Sequence, residues 1–414
     1  MSVGQVHELT IEGMAYGGEG LGRADDGHLI FVGFCAPGER VRAREVESHK
    51  RWGRAELLEV LEASEARVHD PRCIHFGICG GCHYQHIDYQ EQLAIKQDIL
   101  IDQLQRLGGI EDPPVEETIP SPAPWNYRNR LRFHLREDGQ LGFYRADGAE
   151  IFPLQECHLP EGPIGELWPQ LELETVEGLE EVEVRVDSAG SPMVILHGHG
   201  APDMHLEVES ATSVLWVAPE GSLVLAGDPY SWMEVNGQSF RLSPGSFFQT
   251  NNAMTATLVD MAMEAAEPSQ GQVVFDLYAG VGLFSLFLAE AGAQVIAAEE
   301  SPAACGDFEV NLDAYDGISL YEAPVETALA AIQARPETIL VDPPRSGLGK
   351  KVVQQILGFS PKRIVYVSCD PATLARDSKQ LASAGYQLER VTPIDLFPQT
   401  YHLESLSLWL QAED

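Results

Sequence analysis

"VVFDLYAGVGLFSLFLAEAGAQVIAAEE", Val273 to Glu300, decides how the second half of this chain folds. An apolar strand runs to Asp276. A glycine loop, Ala279-Gly280-Val281-Gly282, leads into a helix, and a second strand ends at Glu299, 23 residues beyond Asp276. Glycines let backbone approach a ligand closely, and an acid on the second strand can accept hydrogen bonds from both hydroxyls of a ribose. Strands and helices alternate from about Gln272 onward. The expectation is an α/β domain with a mostly parallel, doubly wound, Rossmann-like sheet.

Alone, this loop indicates a nucleotide-like cofactor. A dinucleotide is one candidate, although the three-glycine fingerprint is incomplete. Asp276 before the loop suits the other, S-adenosylmethionine, whose ammonium an acid can face. Two further strands end in chemistry. "TILVDPPRSGLG" leaves the sheet at Asp342-Pro343-Pro344-Arg345, because proline cannot continue a central strand. "RIVYVSCDPATLARD" does the same at Cys369. Open α/β sheets bind ligands at the carboxyl edge, so Asp342 and Cys369 are expected to face one crevice beside the cofactor. A thiolate there can add to carbon 6 of a pyrimidine and make carbon 5 nucleophilic, and a base must then remove the carbon 5 proton. "YHLESLSLWL" supplies Glu404 and His402.

At these residues the chain resembles the RNA (uracil-5-)-methyltransferases, specifically the 23S ribosomal RNA enzymes of the RumA/RlmD type. The matching stretches are "FFQTN" (Phe247–Asn251), "DLYAGVGLF" (Asp276–Phe284), "VDPPRSG" (Val341–Gly347), "VSCDPATLARD" (Val367–Asp377) and "HLES" (His402–Ser405). The resemblance implies Cys369 as nucleophile and Glu404 as carbon 5 base. It implies Gln249, Tyr278, Gly280, Glu299 and Asp342 as contacts of S-adenosylmethionine, and Phe247 beside a flipped base. Leu283 and Asp370 depart from the family pattern, which more often has asparagine at each.

Residues 1–62 read as short alternating strands with glycine turns, the length of a five-stranded oligonucleotide-binding barrel; the resemblance makes this a TRAM domain. Residues 63–246 form a mainly β central domain, and 247–414 the methyltransferase domain. A helical segment, about 88–117, is expected to pack on the latter. "CIHFGICGGC" with Cys157 gives a four-thiolate set, Cys73, Cys79, Cys82 and Cys157, suited to zinc or a 4Fe–4S cluster. The resemblance favours the cluster. An odd total of seven cysteines argues against a disulfide framework.

The formal charge is −36, from 63 acidic and 27 basic residues, with few lysines. Such a balance ordinarily argues against nucleic acid, but it also marks proteins adapted to high salt, where charge is screened within a few ångströms at ~1 M. In so acidic a chain, "NYRNRLRFHLRED" stands out. Period-two alternation puts Arg128, Arg130, Arg132, His134 and Arg136 on one strand face, a candidate RNA-backbone track that Arg40, Arg42, Arg44, Lys50, Arg51 and Arg54 can extend. The expectation is a cytoplasmic, monomeric enzyme with no membrane contact. It methylates 23S ribosomal RNA, with transfer RNA as the alternative substrate. A redox-sensing RNA-binding protein and an amino-nitrogen methyltransferase are the rival functions.

Overall fold

The computed structural model of the protein describes residues 3–148, 150–173, 176–204, 207 and 212–412. Strands β1 (Val6–Met14), β2 (Glu19–Arg23), β3 (Leu29–Gly33), β4 (Arg40–Ser48) and β5 (Trp52–Glu62) close into a barrel in the order β1-β2-β3-β5-β4. Alternation drives it. Leu9, Ile11, Ile30, Val32, Val41 and Ala43 point inward and are buried, while their neighbours in sequence face solvent.

Helix α1 (Tyr89–Gln103) follows, capped by Asp88, and its last turn widens into a π-helical segment, Leu104–Gly108. The central region is built on β6 (Arg130–Leu135), β7 (Leu141–Tyr144), β8 (Ile151–Pro153), β9 (Leu179–Val186), β10 (Pro192–Gly198), β11 (Ser213–Ala218) and β12 (Gly221–Ala226). These form one sheet, β12-β11-β10-β9-β6-β7-β8, whose core face packs on the short helix α2 (Gly162–Leu167). A hairpin, β13 (Ser231–Val235) with β14 (Gln238–Leu242), leads into helix α3 (Asn252–Ala266).

The C-terminal sheet has the order β17-β16-β15-β18-β19-β21-β20. Its strands are β15 (Val273–Leu277), β16 (Gln294–Glu299), β17 (Ile318–Glu322), β18 (Thr338–Val341), β19 (Arg363–Ser368), β20 (Tyr386–Ile394) and β21 (Glu404–Gln411). Strands β15 to β19 pair in parallel, and β21 runs antiparallel to both neighbours. Helices α4 (Leu283–Glu290), α5 (Pro302–Asn311), α6 (Val325–Ala331), α7 (Gly349–Phe359) and α8 (Pro371–Ser383) cover the faces. Apolar clusters lie on both sides, so the strands read as nearly continuous apolar runs. Strand order reverses where β15 lies between β16 and β18, the place such sheets bind ligands. Among the described residues, no helix is long and apolar enough to cross a membrane.

Helix α1 belongs spatially to this C-terminal sheet. Lys96 is fully buried with its Nζ 2.5 Å from Asp395 Oδ1 and 3.1 Å from the carbonyl of Phe397. Gln92 holds the side chain and backbone of Gln399. Val115 and Ile119 add parallel bridges to Val391 and Ile394. Replacing Lys96 by methionine strands the Asp395 carboxylate in the interior, where a lone charge costs about 3–5 kcal/mol. Denaturant unfolding is expected to show a loss of that size, and pairing Lys96→Met with Asp395→Leu is expected to recover most of it.

Candidate active site

A cleft of about 1020 Å³ opens at the carboxyl edge of the C-terminal sheet. Gln249, Tyr278, Gly280, Glu299, Asp342, Cys369, Glu404 and Phe247 all line it, so the expected catalytic, cofactor and base-contact residues converge on one space.

Its cofactor end is the turn after β15. Tyr278 takes the left-handed φ of 65°, and Gly280 and Gly282 have φ of 56° and 90°. A Cβ on Gly282 would lie 2.3 Å from Leu312, so only glycine fits there, while the space above Gly280 is open. Glu299 braces this turn by accepting from the Gly280 backbone N–H (2.9 Å) and from those of Glu300 and Ser301. An open glycine cradle beside a carboxylate fits an adenosine-type cofactor. Asp276 differs from expectation. It is buried below the turn, accepts from the Ser285 hydroxyl (2.6 Å), and does not line the cleft. Burial pushes its carboxyl up to about 7.

The reactive end gathers Cys369, Asp342, Glu404, His402 and Arg345. Burial, then the facing Glu404 and Asp342 carboxylates, pushes the Cys369 thiol up to about 12. Burial and the neighbouring Asp342 hold the Glu404 carboxyl well above its ordinary range, and its buried Oε1 has no hydrogen-bond partner. Burial and Asp276 raise Asp342 likewise. Burial, with the Arg345 cation next, takes His402 down to about 3, so its imidazole is neutral and packs against Arg345. Phe247 is 62% exposed at the cleft mouth. Phe397, Lys350 and Lys351 also line the cleft. No local motif marked Phe397, and two adjacent lysines in a chain this poor in lysine were the available signal for the others.

The TRAM domain family matches residues 2–58, and the tRNA (Uracil-5-)-methyltransferase family matches residues 230–413. An uncharacterized RNA methyltransferase of Aquifex aeolicus is 37% identical, the match covering 98% of this chain and 99% of the relative. The chain belongs to the RNA (uracil-5-)-methyltransferase family. As such it is an S-adenosylmethionine-dependent RNA methyltransferase. A second relative, from Thermotoga maritima, is 32% identical over 97% of this chain and 98% of its own. The crystal structure of Pyrococcus abyssi tRNA (uracil-54, C5)-methyltransferase in complex with S-adenosyl-L-homocysteine has the same fold. Its TM-score is 0.74 at 23% identity, covering 97% of this chain and 100% of that one.

In this methyltransferase the four cysteines, Cys73, Cys79, Cys82 and Cys157, are free and half-buried. Their loop is seated on the central sheet. Gly80 N–H donates to Tyr144 (3.2 Å), Ala146 N–H to Ile78 (2.8 Å), and Ile74 N–H to the Glu156 carboxylate (2.7 Å). Burial, with the neighbouring thiols adding, pushes Cys82 up to about 12 and Cys157 to about 11. The thiols therefore sense one another. Yet among the described residues no three His, Cys, Asp or Glu side chains are placed to hold a metal ion.

The arginine row is not a free basic track. Alternation along β6 does place Arg130, Arg132 and His134 together, but β9 pairs beside them. Arg130 and Arg132 each reach the buried Glu183 at 3.0 Å, and Arg132 and His134 also reach Glu181. Arg136 pairs with Asp138. Arg128 lies outside the row, its guanidinium near the rings of Tyr127 and Phe397 and beside Cys82 and Cys157. In the barrel, Arg40 and Arg42 pair with Glu8, Glu62 and Glu59, and Arg54 with Glu19 and Glu47.

Proposed function

We propose that the enzyme methylates carbon 5 of a uridine through a covalent adduct of Cys369 with carbon 6. The observation that carries this is one thiol facing two carboxylates of raised basicity inside a single cleft with the cofactor turn. Asp342 accepts the thiol proton, and the Cys369 thiolate adds to carbon 6. Bound S-adenosylmethionine supplies the methyl group to the electron-rich carbon 5. Glu404 takes the carbon 5 proton, the carbon 5–carbon 6 double bond re-forms, and the sulfur leaves and recovers its proton from Asp342. Two carboxylates thus divide two proton transfers. The target must leave its stack to reach Cys369, at a cost of a few kcal/mol, and Phe247 at the mouth offers a surface for the unstacked strand. RNA containing 5-fluorouridine tests the chemistry, since fluorine cannot leave as a proton. A stable adduct at Cys369 is expected, and turnover without one would refute the scheme.

For the substrate we propose 23S ribosomal RNA, the substrate class of the type that the sequence motifs resemble. Transfer RNA is the second reading, favoured by a specific observation. The Pyrococcus enzyme named for transfer RNA shares this fold over nearly the whole chain, so the barrel region does not separate the two substrates. Methylation of 23S fragments and transfer RNA across a salt series decides between them. The −36 charge repels RNA at low salt, and most barrel arginines are occupied by glutamates. Screening relieves both effects, against the usual counterion release. Activity is therefore expected to hold or rise between about 0.1 and 1 M salt, and a steady fall would overturn this.

We also propose that Cys73, Cys79, Cys82 and Cys157 hold a 4Fe–4S cluster. The motif resemblance supports this reading, and burial together with the neighbouring thiols raises Cys82 and Cys157, so the four sulfurs lie in one region. Anaerobically prepared protein is expected to be brown, and serine at any of the four to bleach it. Bound zinc without visible absorbance would refute the cluster.

A further inference from the structure

The barrel is docked beside the cleft. In the turn between β1 and β2, Tyr16 meets Tyr401 edge-on with ring centroids 5.5 Å apart, and Tyr401 packs on His83 (4.5 Å) and on His402 (4.4 Å), which lines the cleft. Strand β2 leaves this turn at Glu19, whose carboxylate accepts from Arg54 Nε (3.1 Å). Arg54 in turn lies over the ring of Trp52, 5.2 Å from its centroid. A line of contacts thus joins Trp52 to the cleft wall.

Trp52 is the centre of an aromatic stack. The turn His49-Lys50-Arg51 joins β4 to β5 and is closed by His49 N–H donating to the Trp52 carbonyl (2.8 Å). It lays the imidazole of His49 on the indole, with centroids 4.0 Å apart and 28° between the planes, while Phe31 of β3 meets the indole edge-on at 5.8 Å. Glu47 fixes the arrangement by accepting from His49 Nε2 (2.6 Å) and from Arg54 (3.1 Å). His49 forms the outer layer, its side chain 47% exposed. Lys50 and Arg51, at the tip of the same turn, are exposed. Among the described residues neither has a carboxylate partner, unlike Arg40, Arg42 and Arg54.

We propose that this stack is a nucleotide-binding platform: an unpaired base of the RNA substrate stacks on the outer face of His49, and Lys50 and Arg51 take the adjoining phosphates. The inference rests on the substrate being RNA, which family membership supplies, and not on the chemistry at Cys369. In five-stranded barrels of this kind the β2–β3 face and the β1–β2 and β4–β5 loops take oligonucleotides, and Phe31 and the His49–Arg51 turn lie on those elements. Every base has a π-face, so such a site accepts an unpaired strand with little regard to its sequence. Stacking also needs no attraction between net charges. In a chain of −36 charge it holds RNA under the salt that screens repulsion, where phosphate contacts fade.

His49→Ala removes the outer layer and leaves Trp52 on Phe31. With the full chain and a single-stranded RNA of roughly ten nucleotides, within the span of one such barrel, Kd is expected to weaken about tenfold, the scale of one lost base–aromatic stack. Binding to an RNA duplex, whose bases are already stacked on one another, is expected to stay close to wild type. His49→Phe keeps a flat ring without the imidazole nitrogens and is expected to restore single-strand binding. Lys50→Gln with Arg51→Gln is expected to weaken both RNAs and, for the single strand, to raise the slope of log K against log salt by about 0.7 per cation removed. Lys362→Gln makes the same charge change at the sheet edge opposite the cleft and is expected to leave both Kd values unchanged. Unchanged single-strand binding in His49→Ala overturns the platform, as do equal losses on single strand and duplex, or equal losses in His49→Ala and His49→Phe. A salt slope unmoved by the Lys50 and Arg51 changes overturns their phosphate role. These readouts are of binding alone. Failure here leaves the fluorouridine adduct at Cys369 untouched, and absence of that adduct leaves the platform standing.

Discussion

Cys369→Ala is expected to lower methyl transfer by roughly 10⁴-fold or more, the scale of loss when a covalent nucleophile is removed, and to abolish the 5-fluorouridine adduct. S-adenosylmethionine binding should be retained, because the cradle at Gly280 and Glu299 lies at the other end of the cleft. The size of the effect follows from the carbon involved. Carbon 5 of uracil is by itself too weak a nucleophile to attack a methyl sulfonium, and no other thiol among the described residues lines the cleft. The thiol rests protonated, pushed up to about 12 by burial and by the carboxylates facing it. Its thiolate must be generated during the reaction. Adduct formation is therefore expected to accelerate as pH rises through the neutral range. Below that range the Asp342 carboxyl, raised to about 7, is protonated and cannot take the thiol proton. Single-turnover adduct formation measured against pH checks the sign. A rate that falls with rising pH would mean that the resting group is already a thiolate, contrary to its surroundings.

What could be read from the sequence and what could not divides along a physical line. Cys369, Asp342 and Glu299 were legible because each ends an apolar strand of a parallel sheet, and strand ends meet at one edge whatever lies between them. Phe247 and Gln249 came from motif resemblance. Asp276 was misread, since the local pattern gives the strand end but not which way the side chain turns. Here it turns inward to Ser285. The ion-pair partners of the β6 arginines were not legible for a related reason. Alternation placed Arg130 and Arg132 on one face, but their partner Glu183 arrives from β9, about fifty residues on, through a register no local pattern encodes. The junction of Tyr16, His83, Tyr401 and His402 draws on three distant segments, and nothing in any one of them announces the others.

Glu404→Gln is expected to separate the two halves of the reaction. Glutamine is close in shape, so Cys369 should still add to carbon 6 and carbon 5 should still accept the methyl group. The amide cannot then accept the carbon 5 proton, and sulfur cannot leave until that proton is gone. A methylated RNA–protein species should accumulate on denaturing gels and by mass spectrometry, with turnover reduced about 10²- to 10⁴-fold, the range supplied by a positioned base. The structure favours Glu404 over its neighbours for this step. His402 is held neutral and occupied by Arg345, and burial holds its pKa near 3, too low to compete for a proton. Glu404 is raised in basicity by the same surroundings, and its Oε1 is buried without a partner, so an acceptor stands uncommitted at the reactive end. Asp342 also faces the thiol, which leaves it to handle the sulfur's proton while Glu404 serves carbon 5. If Glu404→Gln turns over fully and no methylated adduct builds up, the carbon 5 proton leaves by another route, and Asp342→Asn becomes the variant in which the stalled species should be sought.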